Sequence, residues 1–209
     1  TPYEFVLEVH VEEPGTKRNW KQHDSDNDGL WTSMYGAGEC FAYAANGDIQ
    51  SKKRAKKAFD AMKFLGDVTQ GNQHSPPQGF VARTVLPTSG PDPNIGRIKR
   101  DLHKKDTDDA MWKIYEPRWP KSADGKWYYK TDTSSDELDG HYFLYALYYD
   151  LVADTESEKE RVREHVRRLT DHIIKHGFQL MDHDGRPTRW ARYSPKELNF
   201  DKNWFVERG

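Results

Sequence analysis

The chain has 209 residues, 35% hydrophobic and 32% charged, a charged share above the roughly 25% of ordinary globular domains. Aromatics make up 13%, with 7 Trp and 11 Tyr, a load that wholesale disorder does not carry. A formal charge of -2 removes the basic excess expected of a dedicated nucleic-acid binder, and no apolar run is long enough to span a membrane. The single cysteine, Cys40, excludes an intrachain disulfide framework and any multi-cysteine zinc site.

The chain starts at Thr1 without a signal peptide and stops just after an aromatic run, so a processed protein or a fragment is expected. Tyr3 to Val11 reads as a strand. Leu30 to Ala45 then reads as a helix that is apolar or small on nearly every side, hence buried rather than amphipathic. Asn46-Gly47-Asp48 breaks it. A second helix over about Gln50 to Thr69 is amphipathic, with Ala55, Ala58, Phe59, Met62, Leu65 and Val68 inward and a solvated lysine-rich face.

Gly79 to Arg83 follows as a short strand, and Gly71 to Pro93 is loop-rich in Gly, Pro, Asn and Ser. The stretch from Arg97 to Trp127 reads as irregular, with Trp112, Trp119 and Trp127 set among charges. Asp124-Gly125 and Asp184-Gly185 read as hairpin turns. The helical pattern then recurs. Ser135 to Val152 is apolar nearly all round, Glu156 to His176 is amphipathic, and Gly177-Phe178 opens another strand. The whole is a degenerate internal repeat about a hundred residues apart, with units at about 24–90 and 131–192.

Repeated hairpins of one buried and one amphipathic helix are the arrangement of an (α/α) toroid, with the buried helices as the inner wall. The expected fold is therefore mainly α. It is a single domain over 1–209 of toroid-type hairpins, partial or open, with short β-hairpins in the connecting loops. Two hairpins do not close a toroid, so missing chain segments or self-assembly are expected to complete it.

Two acidic clusters open the buried helices. Asp24-Ser25-Asp26-Asn27-Asp28-Gly29 fits the first half of a calcium loop, with carboxylates at the first, third and fifth positions and Gly at the sixth. The twelfth position is Tyr35 rather than a bidentate Glu, and Glu39 comes one helical turn later. Asp24, Asp26 and Asp28 are thus candidate calcium ligands. The competing readings are a capped helix start and a catalytic or sugar-binding acid. In the second cluster, Asp132 to His141, Ser134 and Glu137 have capping-box spacing. That spacing leaves Asp136, Asp139 and His141 needing partners or a function.

In parallel inner helices the two clusters meet at one mouth. Carboxylates facing each other across a cleft with aromatic platforms suit glycoside chemistry, one acid protonating the leaving oxygen and the other acting as base or nucleophile. The candidate acids and bases are Asp28, Glu39, Asp136, Glu137 and His141. Candidate sugar contacts are Trp31, Trp112, Trp119, Trp127, Trp190, Arg83 and Arg189. A rival lyase reading uses His141 or Tyr142 as base, with Arg83 or Arg189 neutralising a uronate. A third reading is a calcium- or glycan-binding module without turnover.

The alternation of hairpins and the acidic helix starts resemble the six-hairpin glycosidase type of toroid. The strings DNDGLWTSMYGAGE (26–39) and TDTSSDELDGHYFLYALYYDLVAD (131–154) resemble a group of bacterial secreted proteins of that architecture. The resemblance covers residues 20–209. It implies a carbohydrate substrate or ligand and an extracellular or periplasmic location, and it assigns no catalytic residue.

Overall fold

A computed structural model describes residues 3–22 and 26–200. Its elements are β1 (Val9–Val11), β2 (Trp20–Gln22), α1 (Asp28–Asn46), α2 (Ile49–Asp67), β3 (Val85–Pro87), α3 (Arg97–Thr107), β4 (Trp127–Tyr129), α4 (Ser135–Leu151), α5 (Glu156–Lys175), β5 (Gln179–Met181), β6 (Pro187–Arg192) and α6 (Pro195–Phe200). The protein is mainly α, with three two-stranded antiparallel sheets beside the helices.

The two helical hairpins are α1–α2 and α4–α5, and α1 and α4 pack side by side as the repeat implies. Small residues allow this approach. A Cβ on Gly36 would lie 2.7 Å from the Ala58 Cβ and 2.9 Å from Leu144, and one on Gly140 would lie 3.2 Å from the Leu30 Cα. The core between the hairpins is filled by Phe59, Met62, Leu65, Leu144, Tyr145 and Tyr148, with the Phe59 and Tyr148 rings stacked at 4.6 Å. On the outside, α2 is tied to the second hairpin by Lys52–Asp154, Lys56–Glu158 and Arg161–Asp60 ion pairs.

Each helix has a local reason to start or stop. Asp48 caps α2 by accepting the amides of Gln50 and Ser51, each at 3.1 Å. Thr155 caps α5 through the Glu158 amide at 3.2 Å. Gly47 closes α1 in the left-handed region, with φ 71°.

Several expectations change. The inner helices are not buried all round: Met34 and Phe41, two turns apart on one face of α1, are exposed, and so are Tyr35 and Phe143. Only Val9–Val11 of the expected first strand is β, and it pairs with Trp20–Gln22. Phe80 to Thr84 is buried irregular chain, bent at Arg83, that leads into β3 and is not a strand of its own. The Asp184-Gly185 hairpin forms, joining β5 and β6. The Asp124-Gly125 turn forms as well: the Gly125 amide donates to the Ser122 carbonyl at 2.9 Å, the Ser122 amide to the Trp127 carbonyl at 2.8 Å, and Lys121 bridges Tyr128, while β4 also pairs with β3. The stretch read as irregular contains α3, whose single buried side chain is Asp101. Helical apolar periodicity cannot reveal a helix anchored by a carboxylate.

Candidate functional site

The N-terminal ends of α1 and α4 lie together, with Glu137 of α4 accepting the Leu30 amide of α1. A cavity of about 530 Å³ opens there, lined by Asp26 and Asn27 from the first repeat and by Thr131, Asp132, Ser134 and Asp136 from the second. Arg83, Lys104, Arg118 and Lys130 add cations, and Trp112 and Trp190 add aromatic surface, their rings edge-to-face at 6.5 Å.

Beneath the cavity lies an ion-pair frame. Asp101 of α3 accepts Arg118 Nε at 2.8 Å, Arg97 Nε at 3.0 Å and the Trp112 indole N–H at 3.2 Å. Asp132, buried with φ 62°, accepts Arg118 Nη1 and the Tyr115 hydroxyl at 3.3 Å each and the Arg189 amide at 2.8 Å. Its own amide donates to Asp182 at 2.8 Å, and its carbonyl accepts Arg83 Nε at 2.6 Å. A non-glycine residue in the left-handed region persists only where its surroundings over-determine it, and these contacts do so. Burial pushes the Asp182 carboxyl up to about 7 against two backbone N–H bonds, with the Asp132 charge adding to the rise. Arg118 stays firmly protonated: burial opposes its charge, but Asp132 and Asp101 outweigh that.

Asp26 is the half-exposed acid of the cavity. Lys130 Nζ reaches it at 2.5 Å and Arg83 Nη1 at 3.8 Å. Partial burial works against its charge, but the two cations prevail and hold the carboxyl below its ordinary range. Asn27 links the two repeats. In the amide orientation that satisfies its neighbours, it donates to Asp136 Oδ2 at 3.0 Å.

The other candidates fall in different places. Asp28 is buried and accepts the Thr84 hydroxyl; Asn27, not Asp28, is the N-cap of α1. Glu137 is fully buried and accepts the Leu30 amide at 3.1 Å, so it caps the neighbouring helix instead of closing a capping box with Ser134. Its carboxyl is pushed well up, chiefly by burial, with Arg83 opposing. Glu39 is carried down α1, away from the mouth, and pairs with Arg54 at 3.5 Å. His141 lies in the core, its Nδ1 2.6 Å from the Tyr145 hydroxyl. Tyr142 reaches Thr170 at 3.0 Å.

Among the aromatics, Trp31 is half-buried in α1 and Trp127 packs edge-on against Phe64 at 5.9 Å. Trp119 is buried between Lys130, 5.2 Å from its ring, and a second cavity of about 550 Å³. Arg189 lies over the Trp190 ring at 4.4 Å and faces Asp109 at 3.4 Å. Arg83, Asp26, Asp136, Trp112 and Trp190 are thus brought together; Glu39, His141, Trp31 and Trp127 are not among the residues lining the cavity.

The calcium reading meets a different charge pattern. Asp24 lies outside the described residues. Asp26 turns to Lys130 and Arg83, and Asp28 turns to Thr84. Among the described residues no three His, Cys, Asp or Glu side chains converge as a metal set. Two cations already face Asp26, an arrangement that competes with a further cation at that carboxylate.

Sequence reasoning passed over Arg118, Lys130, Asp101 and Tyr115. A buried ion-pair frame has no periodicity, and its members lie far apart in the chain. The one available signal was Lys130 and Asp132 immediately before a helix start. Comparison with protein-family models, curated proteins and solved structures finds no match to this chain. The fold and site therefore define a class in physical terms only: a mainly α, helical-hairpin protein with an ion-paired, aromatic-walled cleft where two repeats meet. No helix among the described residues is long and apolar enough to cross a membrane.

Proposed function

We propose that the cleft takes a saccharide and that the protein is a glycoside hydrolase. The observation that carries this reading is the lining of one open cavity by Asp26 and Asp136, one acid from each repeat, together with Trp112 and Trp190. Glycoside cleavage needs two carboxyls flanking the bond. The half-buried Trp190, with Arg189 on its ring, and the buried Trp112, under Lys104 and Arg118, give the wall apolar surface for a sugar.

In this reading Asp26, whose carboxyl Lys130 and Arg83 hold below its ordinary range against partial burial, is the ionised member and serves as base or nucleophile. Asp136, from the other repeat, is the second carboxyl of the pair. Asp28 and Glu137, buried and engaged, position the helix starts that carry the pair. Reducing-end release from a panel of polysaccharides tests the assignment. Wild type should release ends, and Asp26→Asn and Asp136→Asn should each lose turnover by orders of magnitude while melting as wild type does. Turnover surviving both substitutions would remove the pair.

A second reading, glycan binding without turnover, is favoured by the ion pairs that already occupy Asp26. Saturable binding with no product from any glycan would select it. The lyase reading is weaker, because its proposed bases His141 and Tyr142 are turned to Tyr145 and Thr170.

A further inference from the structure

Building on the saccharide reading, we propose that the sugar carries an oxyanion, a carboxylate or a sulfate, and that this group seats at the N-terminus of α4. Ser134 is the N-cap residue of that 17-residue helix, with extended backbone at φ -100° and ψ 172°. An N-cap serine ordinarily accepts one of the first-turn amides. Here Ser134 makes no such bond. Its side chain is 95% buried, it lines the cavity, and its Oγ has no hydrogen-bond partner.

The residue that would complete a capping box, Glu137, is turned away to Leu30 of α1. The first turn of α4 is therefore left without a side-chain acceptor, at the positive end of a helix dipole, inside an open cavity. Uncapped amides and a positive helix end favour an anion.

Asp136, in the same first turn, opposes an anion, but the four cations on the cavity wall, Arg83, Lys104, Arg118 and Lys130, outnumber its three carboxylates, Asp26, Asp132 and Asp136. Asp132, the nearest buried carboxylate in sequence, is saturated by Arg118, Tyr115 and the Arg189 amide. Arg118 is spent on Asp101 and Asp132, so it belongs to the frame. Arg83 and Lys130 are held together by the half-exposed Asp26 and remain on the cavity wall, where an incoming oxyanion can share them. Lys104, exposed at the rim over the Trp112 ring at 4.0 Å, adds a further cation. A neutral sugar meets the same apolar surface but supplies no charge to the Ser134 end of the cavity.

The test is a titration of intrinsic tryptophan fluorescence with three probes: oligogalacturonides, neutral galacto-oligosaccharides and sulfated galacto-oligosaccharides of matched length. At least one anionic series should bind about tenfold or more tightly than the neutral one, the size expected of charge-assisted hydrogen bonds. Which series binds identifies the oxyanion as carboxylate or sulfate. Ser134→Ala should weaken binding of the anionic series severalfold, without changing that of the neutral one, and leave the melting temperature unchanged, because Oγ makes no bond within the chain. Equal affinity for neutral and anionic probes overturns the oxyanion and leaves the saccharide reading standing. An anionic preference that survives intact in Ser134→Ala overturns the placement at α4. No binding of any probe overturns both.

Discussion

The carboxylate of Glu137, in the first turn of α4, accepts the backbone amide of Leu30 in the first turn of α1 at 3.1 Å. One repeat thus caps the inner helix of the other. The N-cap of α1, Asn27, provides no side-chain cap bond itself. The approach is close enough that a Cβ on Gly29 would fall 2.2 Å from Glu137 Oε2. The contact explains why Glu137 is fully buried and why Ser134, its sequence partner in an apparent capping box, is left without one.

Glu137→Gln and Glu137→Ala should therefore separate the bond from the charge. The alanine orphans the Leu30 amide and should cost about 1–3 kcal/mol. Burial raises the Glu137 pKa in the fold, so its neutral form is favoured there and wild type loses stability as pH rises above the unfolded value. Gln keeps an acceptor without that penalty and should be at least as stable as wild type at pH 7, with the advantage fading in acid. Urea unfolding of the three proteins at pH 7 and pH 5 measures this; Gln and Ala variants equally weakened at both pH values would contradict it.

His165 is buried near Gly66 with neither ring nitrogen bonded, and burial lowers its pKa to about 4. The folded state holds the neutral ring while the unfolded chain takes up a proton near pH 6.5. Its contribution is fully present above that value and is lost as pH falls toward 4. His165→Gln should flatten the acid side of the stability profile between pH 6.5 and 4. An unchanged slope in that window would acquit His165.

Gly36 and Gly38, two residues apart, lie on opposite faces of α1 and should respond oppositely to alanine. A Cβ at Gly36 meets Ala58 at 2.7 Å and Leu144 at 2.9 Å, whereas one at Gly38 meets nothing. Gly36→Ala forces α1 away from α2 and α4 and should cost about 1–3 kcal/mol. Gly38→Ala should gain up to about 1 kcal/mol from helix propensity. Melting curves of the two variants decide the matter, and a stabilised Gly36→Ala would refute the close approach of α1 and α4.

Excess chelator should leave the melting temperature unchanged, because Lys130 and Arg83 already neutralise Asp26. A fall of several degrees, reversed by added calcium, would restore the calcium reading of the Asp24–Asp28 loop.

What the sequence determined by itself was the paired hairpins and the mouth. Helical periodicity is a local property, and the repeated order of an all-round apolar helix followed by an amphipathic one placed α1 beside α4 and gathered their N-termini. Asp26, Asp136, Arg83, Trp112 and Trp190 could be named from composition and position alone. What only the tertiary structure decided was which carboxylates are spent and which face the cavity. In the sequence Asp28 and Glu137 look as catalytic as Asp136 does, and Asp26 reads only as a calcium ligand, because burial and bonding depend on neighbours brought from distant segments. Thr84 engages Asp28, and Leu30 takes Glu137. The Arg118 frame with Asp101 and Asp132 was illegible for the same reason: it joins an unpatterned charged helix, a loop and a helix start that meet only when the chain is folded.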